Sequence, residues 1–99
     1  MADILITEHA YERADERLSL RRESFYRLAV KAFEQGIQHS DAKGRLKKYI
    51  DGLWFKYKKA NNVRIYGENV FFFKGETLIT VYQIPHELKV YIKISKHDN

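Results

Sequence analysis

At Asn61 the spacing of apolar residues changes from the three-and-four of a helix to the alternation of a strand. No other feature constrains the fold as strongly, because side chains repeat every 3.6 residues on one element and every two on the other. Before the change, Thr7 can cap a helix beginning at Glu8, and Ala10, Ala14 and Leu18 supply its apolar strip. Ser19 is a second capping candidate, ahead of a helix carrying Phe25, Leu28, Ala29, Ala32 and Phe33 and stopped at Gly36. After the polar connection Gln38-His39-Ser40-Asp41, a third helical stretch runs from about Ala42 to Lys59, with Leu46, Tyr49, Ile50, Leu53, Trp54 and Tyr57 at helical spacing. Gly44 and Gly52 weaken that stretch by about 1 kcal/mol each relative to alanine, so loop or strand is the alternative for part of it.

After Asn61-Asn62 the pattern predicts four strands: Val63–Tyr66, Val70–Phe73, Thr77–Ile84 and Leu88–Ser95. Gly67-Glu68-Asn69 and Lys74-Gly75-Glu76 turn the first three, and Pro85 ends the third. Such short connections imply antiparallel pairing. The expectation is an α+β fold in a single domain, 1–99: two or three helices within 7–59, packed on one face of a four-stranded antiparallel sheet within 62–95. Phe71-Phe72-Phe73 reads as core on both faces of a strand, with a partner-binding patch as the alternative, and Trp54 reads as core.

The chain is 44% hydrophobic and 14% aromatic with 31% charged residues, which excludes a disordered polar chain. No apolar run approaches the roughly 20 residues of a membrane span, and Met1–Thr7 does not read as a secretory signal. With no cysteine there is no disulfide framework or thiolate nucleophile. A cytoplasmic location fits. The four histidines show no His-x-x-x-His pair, which argues against a metal site, and no cofactor is expected. His39, His86 and His97 lie in polar, post-proline and tail positions that carry little information.

The net charge of +5 is concentrated. Lys43, Arg45, Lys47, Lys48, Lys56, Lys58 and Lys59 fall within seventeen residues that contain one acid, Asp51. Such a stretch attracts polyanions, nucleic acid first among them; the alternative is a solvated lysine-rich face. A second constellation is His9, Arg13 and Arg17, at i, i+4 and i+8. Each step of four advances about 400°, so the three project within about 80° of one another. Two cations and an imidazole in a row suit phosphate binding with proton transfer, against the alternative of an ordinary charged surface paired with Glu12 and Glu16. Strand alternation supplies a third. If Val63, Ile65, Ile79 and Val81 face the helices, Arg64, Tyr66, Thr80 and Tyr82 share the open face of the sheet. Arginine, tyrosines and a hydroxyl there would make an RNA platform; strand tyrosines and a paired Arg64 are the plainer account.

The segment Thr7-Glu8-His9-Ala10-Tyr11-Glu12-Arg13-Ala14-Asp15-Glu16-Arg17 resembles the opening of a family of small phage and mobile-element proteins that begin Thr-x-His-Ala-x-x-Arg-x-x-x-Arg. Arg64-Ile65-Tyr66-Gly67 and Leu78-Ile79-Thr80-Val81-Tyr82-Gln83-Ile84-Pro85 are similar to its later segments. That family looks like a branch of the barnase–EndoU–colicin–RelE group of metal-independent ribonucleases. The resemblance implies a RelE-like fold in which His9, Arg13 and Arg17 face the site from a helix and Thr80 and Tyr82 face it from a strand. A base would take the ribose 2′-OH proton, cations would hold the phosphate, and an acid would protonate the leaving 5′ oxygen; a histidine can do either proton job. The sequence departs from that pattern in having no second histidine opposite His9 and no basic catalytic end in Ser95-Lys96-His97-Asp98-Asn99. Three functions follow: an endoribonuclease; a non-catalytic protein on the same fold that blocks a host nuclease or defence enzyme through the Lys43–Lys59 stretch; and a nucleic-acid binder without cleavage.

Overall fold

The computed structural model describes residues 3–96, so His97 and both ends of the chain lie outside it. A two-residue strand β1 (Leu5–Ile6) leads into α1 (Glu8–Leu18) and α2 (Arg22–Gln35). A second short strand β2 (Ile37–Gln38), one turn of 3-10 helix and α3 (Gly44–Trp54) follow. Then come β3 (Asn62–Tyr66), β4 (Asn69–Lys74) and β5 (Thr77–Gln83), another 3-10 turn, and α4 (Val90–Lys96). Among the described residues the fold is α+β, with four helices and one five-stranded mixed sheet in the order β1-β5-β4-β3-β2. β1 runs parallel to β5 and the other pairs are antiparallel. No helix among the described residues is long and apolar enough to cross a membrane.

Local chemistry explains most boundaries. The Thr7 hydroxyl accepts from the Ala10 N–H at 3.0 Å and caps α1. Ser19 does not cap α2; it closes α1 in the left-handed region, at φ 54°. Gly36 stops α2, although with extended backbone. Its lack of a side chain serves close approach instead: a Cβ there would sit 2.9 Å from Arg64 Cβ and 3.2 Å from the Ile65 carbonyl. The chain is thereby laid against β3, where Ile37 and Gln38 pair with Ile65 and Arg64. The expected helix 42–59 is shorter at both ends. Gly44 opens α3 at φ +54° with the Tyr91 ring against it, and α3 ends at Trp54. Lys56, Lys58 and Lys59 therefore lie on a loop and not on the helix that carries Arg45, Lys47 and Lys48.

The expected fourth strand, Leu88–Ser95, is the second 3-10 turn and α4. Val90, Ile92 and Ile94 alternate, but Leu88, Ile92 and Ser95 also satisfy a helical spacing, and those three are the buried ones. Val90 and Ile94 are exposed, at 57% and 47%. Ser95 fixes α4 to α3: its hydroxyl donates to Tyr91 O at 2.7 Å and accepts from Lys43 N at 3.1 Å.

Helices cover both faces of the sheet, where helices on one face alone were expected. Phe71, Phe73, Leu78 and Val81 pack with Ala10, Ala14, Phe25 and Ala29 of α1 and α2. Val63, Ile65, Val70 and Phe72 pack with Leu46, Ile50, Leu88 and Ile92 of the α3 and α4 side. The run Val70–Phe73 is fully buried, as expected of a strand with core on both faces. The register shifts between Phe72 and Phe73, so that Phe72 faces Thr80 while Phe73 faces Leu78 and Ile79 is the extra residue. The bulge reverses the alternation of β5. Ile79 joins the α3 and α4 core while Val81 joins the other, so the two do not share a face as alternation predicts.

Candidate functional site

The bulge also organises the outer edge of β5. β1 reaches only Thr77 and Leu78, with backbone bonds from Leu5 N to Glu76 O and from Thr7 N to Leu78 O. Beyond the bulge the outward carbonyls are those of Ile79, Val81 and Gln83, and side chains meet all three. The Thr7 hydroxyl donates to Ile79 O at 3.3 Å, Arg17 Nη1 to Val81 O at 2.9 Å, and the Tyr49 hydroxyl to Gln83 O at 3.5 Å. A strand edge with unpaired acceptors is thus supplied with donors from α1 on one side and α3 on the other.

Arg17 does more than fill that edge. Its guanidinium carbon lies 4.0 Å from the centre of the Tyr82 ring. The Tyr82 hydroxyl is 3.1 Å from that of Tyr57, and both rings pack against Phe72. Tyr57 belongs to the loop that carries Lys56, Lys58 and Lys59, and this loop forms with Ile79 an open cleft of about 340 Å³. Phe55, at its mouth, is 66% exposed with Lys58 Nζ 5.3 Å from its ring. The result is a seam of cations and aromatic rings along β5, from Arg17 through Tyr82 and Tyr57 to the three lysines.

The structure joins some of the expected site residues and separates others. Arg17 and Tyr82 meet. His9 stands half-buried two turns before Arg17 on α1, and no hydrogen bond engages its ring among the described residues. Arg13, between them, pairs with Glu16 at 3.0 Å, a surface contact of small value. Thr80 is a correction: it is fully buried and its hydroxyl has no hydrogen-bond partner among the described residues, so it cannot touch a substrate. Arg64 and Tyr66 are corrections too. They oppose Phe71 and Asn69, on the α1 and α2 face, whereas Thr80 and Tyr82 oppose Phe72 and Val70 on the other. Arg64 is structural: it donates to Gly36 O at 2.8 Å and Asn62 Oδ1 at 2.9 Å, tying the end of α2 to β3. Tyr66 packs on the α1 and α2 core. The basic stretch divides in two. Arg45, Lys47 and Lys48 project from α3 and Lys43 precedes it, while Lys56, Lys58 and Lys59 border the seam.

Sequence reasoning missed three participants. Tyr49 and Tyr57 read as helix core, and nothing local marks them as partners of β5. His39 was set aside as a loop residue, yet its Nε2 lies 2.5 Å from Asp51 Oδ1, across twelve residues of chain.

Burial pushes the Tyr82 phenol above the ordinary 10.0; the bond to Tyr57 raises it further and Arg17 opposes. Burial raises Tyr49 in the same way, again against Arg17. A phenol whose folded pKa exceeds its unfolded value contributes stability that is complete below pH 10.0 and is lost as the pH climbs through the folded value. The urea midpoint of the wild type should therefore fall more between pH 9 and pH 11 than that of Tyr82→Phe. Equal falls would show that Tyr82 is not held in a drier setting.

Comparison of the chain with protein-family models, with curated proteins and with solved structures gave no significant match.

Proposed function

We propose that this chain binds single-stranded RNA along the β5 seam and is a metal-independent endoribonuclease of the barnase–EndoU–colicin–RelE type, with a RelE-like arrangement of helices and sheet. The observation that carries this reading is the contact of Arg17 with Tyr82. It joins the basic row of α1 to β5, the two halves that such a site requires. Cations that follow a phosphate backbone, interleaved with aromatic faces for stacking, are the general apparatus of single-strand recognition. Exposed Phe55 among Lys56, Lys58 and Lys59 extends that apparatus. Arg17 gives one N–H to Val81 O and also engages Tyr82, and its remaining N–H groups can take a phosphate.

In the reaction, the imidazole of His9 takes the proton of a ribose 2′-OH. The O2′ bonds to phosphorus, the P–O5′ bond breaks, the leaving 5′ oxygen takes a proton from solvent water, and the His9 imidazolium returns its own to solvent. The products are a 2′,3′-cyclic phosphate and a 5′-hydroxyl. Arg13, one turn along α1 from His9, stabilises the charge that grows on the phosphoryl oxygens, and Arg17 holds a neighbouring phosphate.

Binding has a quantitative signature. If Arg17, Lys56, Lys58 and Lys59 each neutralise one phosphate, the slope of log affinity against log salt is about −2.8, a loss of about 50-fold between 50 and 200 mM salt. Fluorescence anisotropy with a labelled single-stranded RNA measures it, and a flat response removes the reading. Cleavage of the same RNA in excess EDTA, with cyclic-phosphate ends, tests the chemistry; intact RNA at high protein concentration across several sequences removes it.

A further inference from the structure

A second cleft, of about 460 Å³, opens between the β2–β3 edge of the sheet and α3. We propose that it binds a nucleobase. Its walls carry Gln38, His39, Asp51, Trp54, Asn61 and Asn62.

Charge decides what class of ligand fits. Asp51 is the acid in the lining, and both its oxygens are already engaged, by His39 at 2.5 Å and by Lys47 at 3.5 Å. A phosphate or a metal ion would have to break those pairs. The interior therefore suits a neutral group with hydrogen-bonding edges.

The amides say more. Asn61 Oδ1 accepts from Gly75 N at 2.8 Å, and Asn62 Oδ1 accepts from Arg64 Nε at 2.9 Å. Both amides are thus held by their own neighbours, Asn62 by an arginine that lies on the α1 and α2 face, and Gln38 and His39 are the groups left for a ligand. Gln38 is exposed, and its side chain makes no hydrogen bond among the described residues. With Nε2 of His39 facing a carboxylate, Nδ1 is the nitrogen left for a ligand. Donors and acceptors in one cleft match the mixed edges of a base.

Trp54 supplies the apolar wall. Its Nε1 donates to Ala60 O at 3.1 Å, so the indole is fixed before any ligand arrives. Lys47, on the same helix as Asp51 and Trp54, holds Asp51 Oδ2 while His39 holds Oδ1. Trp54 and Phe55 are neighbours, with ring centres 6.2 Å apart, so this cleft adjoins the loop of the β5 seam. The inference deepens the RNA reading, and rests on it in taking the base to belong to a strand whose backbone crosses that loop.

Trp54 is the only tryptophan of the chain, so its fluorescence reports occupancy directly. Titration of the full chain with UMP, CMP, AMP and GMP should give saturable quenching for at least one, weakened tenfold or more by Gln38→Ala and by His39→Ala. Gln38 is exposed, so its variant keeps the fold even where His39→Ala loosens it. The double variant Lys56→Glu/Lys58→Glu should leave mononucleotide quenching unchanged while reducing RNA affinity. A linear response to all four mononucleotides up to about 10 mM, or saturation that both Gln38→Ala and His39→Ala leave intact, overturns the proposal. RNA binding with no mononucleotide signal removes this cleft and leaves the seam. A mononucleotide signal with no RNA binding does the reverse.

Discussion

Replacing Phe72 with alanine should lower the free energy of unfolding by about 3–5 kcal/mol, the usual cost of emptying a buried phenylalanine site. Domains of this size are stable by only about 5–15 kcal/mol in total, so the variant should lose a large share of that stability. Phe72 is fully buried in the central strand β4, on the α3 and α4 side. Its ring lies 5.8 Å from that of Tyr57 and 6.1 Å from that of Tyr82. The cavity could close only if the loop and β5 both moved, and β5 is fixed by its pairing with β4 and by the donors on its edge. Urea denaturation followed by circular dichroism measures the effect. Phe55→Ala, at an exposed site, is the control and should stay within about 0.5 kcal/mol of wild type. A loss below about 1 kcal/mol for Phe72→Ala would contradict a sheet packed between two helical layers.

His9→Ala should slow RNA cleavage by about 10²–10⁴-fold, the range contributed by a positioned proton-transfer group. Affinity for RNA should barely change, because the cations of the seam supply it. The substitution is structurally mild. The His9 ring has no hydrogen bond to lose among the described residues, and alanine is the better helix former. Single-turnover cleavage in EDTA, alongside anisotropy with uncleaved RNA, separates the two quantities. Cleavage that persists unchanged in His9→Ala would remove His9 from the chemistry. Loss of affinity in step with rate would make it a binding residue instead.

The helices and hairpins were legible where a signal is local. The Thr7 cap, the stop at Gly36 and the three long strands each rest on residues a few positions apart. β1 and β2 could not be read, because two residues display no period. Leu88–Ser95 was misread because its apolar residues fit two periods, and the docking of Ser95 on Lys43 and Tyr91 selects the helix. The candidate site was half legible. Arg17 and Tyr82 were each marked by their own element, and they do meet. Thr80, Arg64 and Tyr66 were assigned to an open face that α3 and α4 cover or that lies across the sheet. The bulge at Ile79 appears only in the pairing of β5 with Phe72 and Phe73, which alternation along β5 does not display. The His39–Asp51 contact depends on how α3 docks against the sheet, which no local pattern encodes.

The occupied carbonyls of β5 bear on how this molecule behaves in a crowded solution. A bare sheet margin is a template on which another chain can add a strand, the first step toward fibrils. Here Thr7, Arg17 and Tyr49 hold the positions an incoming backbone would need. α1 therefore guards against edge-to-edge stacking through Arg17, the same side chain that lies over Tyr82.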